Sequence, residues 1–381
     1  MKMPACSKRI LILLACVLTI AGCTKKSPAP TDKIHAGTAQ TEASFAKIND
    51  EQASVVFAQG TDALASTRSK SKNLTEAIHQ FLSSPTDENL KNAQQWWGIA
   101  TIEYRRFSFY RHLGLVDPTS FAALNRLDYQ ISGYPIQPGF IDTFGPYKYS
   151  GLVHDIGFPI TEESLVNQHG LTDLADIVLG FYAIEFLLFN SGEERKASDF
   201  TQITTIDDAL KERGFEKIEE IPNNRRRELL SQQAQILNAD LKRLEEYWSN
   251  RKEGFQKQWQ TFSDTKRTNT VLTAVSSALT QVMIEIGELN QEKNTNTYIS
   301  SGIYTSDINN QKKFIHYAVD SIKSGSTLLV SDKTHPINTS LSQALSLTNE
   351  DIQTEEKDRK EHWRTIFSSI KSASDHLNKK N

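Results

Sequence analysis

Residues 230–248 read LSQQAQILNADLKRLEEYW, and this stretch decides the fold. Its apolar side chains are separated by alternating steps of four and three residues. In a helix with 3.6 residues per turn such positions share one face, so the stretch predicts a long amphipathic helix with a buried stripe. The stripe consists of Leu230, Ala234, Leu237, Leu241, Leu244 and Trp248.

The same spacing recurs along the rest of the chain. Another helix is predicted to begin just after Pro85, capped by Thr86 or Asp87. Short polar side chains at this position accept hydrogen bonds from the unpaired amide groups of the first turn. We find no convincing run of alternating apolar and polar residues bounded by turn pairs, the pattern typical of a half-buried strand. The sequence therefore predicts an all-α fold. Further helical stretches are Val271–Leu289, Phe314–Ile322 and the segment around Trp363, Ile366 and Ile370.

One region interrupts this pattern. Between Val116 and Pro159 the sequence has five prolines and several glycines among its aromatic residues. Structureless connections of this length usually have a function. The aromatic side chains either pack against the helices for stability or form the wall or lid of a binding site, and both interpretations stay open. They are Tyr129, Tyr134, Phe140, Phe144, Tyr147 and Tyr149.

The N-terminus has the layout of an export signal. Basic Lys8 and Arg9 precede an apolar run, Ile10 to Ile20, which is shorter than the roughly 20 residues of a membrane-spanning helix. Small residues then lead into Cys23. This arrangement resembles the lipobox of bacterial lipoproteins, which implies a signal peptide over residues 1–22 and acylation of Cys23 by chains such as palmitate. The alternative is a plain secretory signal with a coincidental cysteine.

The expected mature protein keeps a single cysteine, because Cys6 and Cys16 lie in the signal. It would therefore contain no disulfide. Without the three basic residues of the signal, 40 basic side chains face 46 acidic ones. This mild acidity argues against nucleic acid as a partner.

Residues 23–43 are rich in Lys, Ser, Pro, Thr and Ala and have few large apolar groups, so we predict a flexible tether. By the lipoprotein resemblance, the lipid would attach the protein to a membrane. In enteric lipoproteins, an aspartate directly after the acylated cysteine is a retention signal. Here Thr24 occupies that position after Cys23. By that analogy we expect the outer membrane, with the protein facing the periplasm.

A carboxylate interrupts an apolar helical stripe at Glu185. Wound as a helix, Leu174, Val178, Phe181, Glu185 and Leu188 share one face. A buried, unpaired carboxylate costs several kcal/mol or becomes protonated, so Glu185 needs a base, a hydrogen-bond donor or a cation. Tyr182 lies nearly one turn earlier, on neighbouring helix surface.

Two other helical patterns also carry acidic residues. Glu103 interrupts the stripe formed by Trp96, Ala100, Phe107 and Tyr110, and Glu285 and Glu288 lie three residues apart. Carboxylates that project inward from separate helices build metal sites in helical bundles. The alternative is that each carboxylate pairs with an arginine. The candidate arginines are Arg105, Arg106, Arg111 and Arg126. The pair Glu76 and His79 has the spacing of half a di-iron site, but without a second copy it indicates a solvated face.

With these residues in view, the chain resembles the imelysin-like family (the peptidase M75 grouping). Gly180, Tyr182 and Glu185 are similar to its Gly-x-His-x-x-Glu signature, with Tyr182 at the position of the histidine. The segments 126–128, 139–142 and 158–165 resemble the irregular part of the family, and residues 97–110 resemble its second helix. The likeness is specific from about residue 90 to 200 and diffuse beyond.

The resemblance implies an exported protein of iron acquisition built from two helical-bundle halves, joined near residues 200 to 220. We expect an N-terminal half, residues 44–200, with the aromatic loop and the signature helix, and a C-terminal half, residues 201–381. The aromatic loop would pack where the halves meet.

The resemblance together with the carboxylate pattern implies a cation site with Glu185, Glu103, Glu288 and Asp142 as oxygen donors. Without the histidine, such donors suit ferric iron, calcium or magnesium better than zinc. We expect Glu185 and Glu103 to be buried side by side, with Tyr182 in the same pocket.

Three functions stay open. The first is a lipid-anchored binding protein for iron or another metal, acting beside iron-uptake proteins. The second is a metallopeptidase, which needs a metal with an open coordination position and a general base. The third is an envelope scaffold that binds no ligand. The loss of the signature histidine favours the binding protein, and we assign no catalytic residue.

Overall fold

The computed structural model describes residues 45–190, 195–289, 308–351 and 356–379. Within these ranges the chain forms helices and no strand, which confirms the all-α prediction; the one bridge is an isolated pair, Phe144 with Tyr147. The predicted signal, Cys23 and the tether lie outside the described residues.

Five helices form a first group. In chain order they are α1 (Asp50–Ser83), α2 (Asp87–Tyr104), α4 (Ala122–Ser132), α7 (Gly180–Phe189) and α9 (Pro222–Ser249). Helix α1 packs along α2 and α9, and α9 also packs against α4 and α7. The stripe predicted from Leu230 to Trp248 is buried on α9, as expected. Thr86 caps α2 by accepting a hydrogen bond from the Asn89 amide.

A second group contains α3 (Ser108–Val116), α11 (Asp264–Leu289), α12 (Ile308–Leu329), α13 (Pro336–Asn349) and α14 (Glu356–Asn378). Helix α11 packs against α3, α12 and α14, and α13 lies between α12 and α14. Three shorter helices lie between helices of the first group: α5 (Pro138–Ile141), α6 (Glu162–Gln168) and α8 (Asp208–Glu212). A fourth, α10 (Phe255–Gln260), lies between α9 and α11.

The packing differs from the predicted boundary at residues 200 and 201. Helix α9 packs with the first group, while α3 packs with the second, and one continuous hydrophobic core includes residues from both. The chain first passes from the first group to the second through a 3-10 turn, Arg105–Phe107, between α2 and α3, and it passes again between α9 and α11. The prediction of one uninterrupted helix from Trp96 to Tyr110 is therefore wrong.

The region between Val116 and Pro159 is less irregular than predicted, because it contains α4 and α5. Its last part, residues 152–158, is held by one side chain of α9. Arg225 donates hydrogen bonds to the carbonyl oxygens of Leu152, Val153, Asp155 and Phe158, at 2.5 to 3.1 Å. Because the guanidinium satisfies four carbonyl groups at once, this loop has a fixed position on the first group of helices.

Helix α11 is the one described helix that is long and apolar enough to cross a membrane by length and composition. Half of its most apolar stretch is buried against other helices. We therefore describe it as a core helix of the second group.

Candidate functional site

The signature helix α7 begins at a position that only glycine occupies without strain. Gly180 has φ +86°, and a Cβ atom there would lie 2.4 Å from the carbonyl oxygens of Gln130 and Ile131. The prediction that the helix already includes Leu174 is wrong, since Leu174 precedes α7 and is 78% exposed. The close approach of α7 to α4 sets the position of Tyr182 and Glu185.

Replacing Gly180 with alanine should therefore lower the free energy of unfolding by about 3 kcal/mol, from the positive φ and the contact with backbone. Gly98→Ala is the matched control. Gly98 lies within α2 with open space around its Cα, so we expect it to be neutral or stabilising by up to about 1 kcal/mol. Urea denaturation of both variants measures the difference. Equal stabilities would contradict the proposed strain.

Tyr182 and Glu185 lie three residues apart on α7. Glu185 is fully buried and Tyr182 half-buried. Burial raises the pKa of the Tyr182 phenol; the charges of Glu285 and Glu185 raise it further, while Arg105 and Arg111 oppose them. The phenol is therefore neutral at ordinary pH, and a phenolate ligand would first have to lose its proton.

Tyr182 lies on a cavity of about 200 Å³, which we call the Tyr182 cavity. Its wall comes from both groups of helices, with aromatic rings beside charged side chains. Tyr134 packs on Tyr182 with ring centroids 4.9 Å apart. The charged and titratable lining residues are Arg105, Arg111, His112, Asp128, Glu285 and Glu288, with Tyr129, Tyr134 and Phe314 among the rings.

Arginines pair with two of the cavity's carboxylates. Arg105 donates a short hydrogen bond to buried Glu285. Arg111 contacts Asp128 through Nε at 3.0 Å and Nη2 at 2.9 Å. Asp128 also accepts a hydrogen bond from the Tyr104 hydroxyl at 2.8 Å. For Glu285 the structure therefore has the arginine pairing considered above as the alternative to a metal.

His112 is the histidine that lines the cavity. Burial lowers its pKa to about 3, and the neighbouring charges of Arg111 and Arg105 contribute. Its Nδ1 lies 3.0 Å from the Ser277 hydroxyl. The imidazole is therefore neutral at physiological pH and adds no charge to the cavity.

Glu103 does not join this site, so the prediction of a shared pocket with Tyr182 is wrong. It lines a separate groove, where it accepts a hydrogen bond from Ser66 of α1 at 2.8 Å and pairs with Arg106 at 2.6 Å. Its side chain is 13% exposed. The 3-10 turn that follows α2 winds more tightly than an α-helix, so the regular spacing assumed up to Tyr110 does not hold.

Asp142, also predicted as a metal donor, belongs to a third cluster. It is fully buried and accepts hydrogen bonds from Arg226 at 2.6 and 3.1 Å, from Arg195 at 3.1 Å and from the Thr143 amide at 2.7 Å. Burial alone would raise the pKa of Asp142, but the bond with His154 and the two guanidinium groups lower it below its usual range. These contacts occupy its oxygens, so Asp142 is a structural anion.

The described residues do not fit a resident metal ion. Among the described residues, no three His, Cys, Asp or Glu side chains lie close enough together to share one. Glu185 and Glu288 both have partners. Glu76 and His79 are exposed on α1, as expected for a solvated face. Sequence reasoning did not identify Arg105, Arg111 and Asp128 as parts of the Tyr182 cavity, although two of them were named as candidate partners of carboxylates.

Comparison with known proteins agrees with the fold. A crystal structure described as an iron-regulated protein A precursor from Parabacteroides distasonis is similar, with a TM-score of 0.56 and 13% identity over 87% of this chain and 95% of that chain. At this identity the likeness concerns the fold alone. A search of curated proteins gives no match. The profile of the Imelysin family, peptidase M75, matches residues 60–358, most of the sequence, and the chain therefore belongs to the imelysin family.

Proposed function

We propose that this protein is a lipid-anchored, periplasm-facing binding component of iron or other metal acquisition. The observation that carries the proposal is the Tyr182 cavity. It lies at the signature helix of the family and has a wall of aromatic and charged side chains. Pockets that combine apolar walls with a few fixed polar groups are typical of small-ligand recognition.

The charged groups of the cavity favour binding over catalysis. A metallopeptidase needs about three protein donors for its metal and a general base beside an open position. Here Glu285 and Asp128 are bound by Arg105 and Arg111, and Tyr182 stands where the family has its histidine. Such a wall can orient a ligand by hydrogen bonds while its own charges stay paired.

The link to iron and the location rest on other observations. The structural relative described as iron-regulated shares the fold, and the sequence Ile20 to Cys23 resembles a lipobox. We propose that acylated Cys23 attaches the protein to the outer membrane, beside an uptake system. A mature N-terminus with unmodified Cys23, or cleavage elsewhere, in mass spectrometry of the membrane-extracted protein would contradict the anchor.

Calorimetric titration of the full-length protein tests the binding function. The probes are ferric citrate, free Fe³⁺ and free Zn²⁺, with a peptide-cleavage assay in parallel. We expect saturable binding of ferric citrate, weakened roughly tenfold or more by Tyr182→Ala, a loss of about 1.4 kcal/mol. Tyr149→Ala is the control, because Tyr149 is 80% exposed and lies outside the Tyr182 cavity.

The other functions predict different outcomes. Chelator-sensitive cleavage of peptides by the natural protein would identify a metallopeptidase and contradict our proposal. Absence of binding to every probe, with Tyr182→Ala behaving like the natural protein, would favour an envelope scaffold.

A further inference from the structure

The Tyr182 cavity already contains a fixed cation. Arg105 lies in the 3-10 turn between the two groups of helices and is only 5% exposed. Its Nη2 donates to Glu285 of α11, and its guanidinium lies over the Phe314 ring of α12, 4.2 Å from the centroid. This single side chain therefore connects the 3-10 turn with two helices of the second group.

The charges of the cavity are nearly balanced without any ion. Two guanidinium groups, Arg105 and Arg111, face the carboxylates of Asp128, Glu285 and Glu288, and His112 is neutral. An arginine does not lose its proton in proteins. A free divalent or trivalent ion would therefore enter beside two permanent positive charges and would have to displace a guanidinium from a carboxylate.

We propose that the guanidinium of Arg105 takes the place of a metal ion in the Tyr182 cavity, which therefore excludes free metal ions. It does what an ion does between interior carboxylates of a bundle: it neutralises Glu285 and connects separate helices. The nature of the ligand rests on the proposed function: a metal would reach this cavity only inside an organic complex, whose polar groups meet the charged and phenolic side chains.

Four proteins test whether Arg105 takes the place of a metal ion. They are the natural chain, Tyr182→His, Arg105→Gln with Tyr182→His, and Arg105→Lys with Tyr182→His. The probes are Zn²⁺ in calorimetry and Co²⁺ in visible absorption. We expect no saturable binding by the natural chain or by Tyr182→His alone. Arg105→Gln with Tyr182→His should bind one equivalent of Zn²⁺, roughly a hundredfold more tightly than Tyr182→His, because Glu285 and a nitrogen ligand become available together.

Arg105→Lys with Tyr182→His is the matched control, since lysine keeps the positive charge and should prevent the gain. Circular dichroism checks the fold of each variant. If Arg105→Gln with Tyr182→His unfolds without metal, refolding with and without Zn²⁺ replaces the titration. Recovery with Zn²⁺ would support the inference, and failure to recover would count against it.

Two results would overturn the inference. One is a stoichiometric free ion, Zn²⁺ or Fe³⁺, on the natural chain that is lost in Glu285→Gln. The other is no gain of metal in Arg105→Gln with Tyr182→His. Ferric citrate binding by the natural chain separates the two proposals: its absence would contradict the binding function, while the variants would still decide the role of Arg105.

Discussion

Asp142→Asn should lower the free energy of unfolding by about 3–5 kcal/mol, because it removes the buried carboxylate that the guanidinium groups of Arg226 and Arg195 share. Asn keeps the shape of the side chain, so the loss of stability measures the effect of removing the negative charge. Urea denaturation at neutral pH measures it. The matched control is Asp208→Asn, which removes an ion pair with Lys211 on the exposed surface and should change stability by less than about 0.5 kcal/mol.

The Asp142 carboxylate also makes the stability of the protein depend on pH, and the direction of this dependence follows from its pKa. Its pKa is lowered in the folded protein, so its contribution is fully present above the unfolded pKa of about 3.9. As the pH falls from there toward the lower folded pKa, the unfolded chain binds the proton more readily and the contribution is lost. The difference between the natural protein and Asp142→Asn should therefore shrink below about pH 4. A difference that stays constant to pH 3 would contradict this assignment.

Trp248→Ala should cost about 3–5 kcal/mol, since it removes a fully buried indole from the centre of the first group. The ring stacks on Phe255 at a centroid distance of 4.2 Å, and its Nε1 donates to the Phe57 carbonyl at 3.1 Å. Gly60 of α1 lies so close that a Cβ atom would be 2.4 Å from the indole. The substitution therefore removes packing, a hydrogen bond and the contact between α1 and α9.

Trp96→Ala is the comparison for this variant. Trp96 is only partly buried at the edge of the core, so we expect roughly a third of the effect. Thermal and urea denaturation should rank the two variants in this order. Similar losses for both would mean that the indole of Trp248 does not organise the packing of α1 on α9.

The helical class was predictable because it depends on local spacing. The stripe on α9 follows from residues within one helix, and so does the cap at Thr86. In these cases the pattern repeats over several turns, and no partner needs to be known.

The site was less predictable because its charges pair across long separations. Arg105 and Glu285 are 180 positions apart, and Asp142 and Arg226 are 84 apart. A carboxylate that interrupts an apolar stripe needs a partner, but the stripe does not say whether that partner is a metal or an arginine. A short 3-10 turn also gave no signal in the periodicity, although it ends the regular spacing of α2 at Tyr104.

The bonds from Arg225 to the loop of residues 152–158 have a consequence for how the protein is made. During synthesis this loop leaves the ribosome long before α9. Its carbonyl groups therefore have no Arg225 side chain to bond with until α9 has been made. Helix α1 also depends on this later helix, because its Arg68 forms an ion pair at 2.5 Å with Glu245, 177 positions further along the chain. Contacts between residues so far apart in sequence form slowly. The first helices should therefore stay accessible to chaperones and proteases until the chain has been made as far as residue 249, the end of α9.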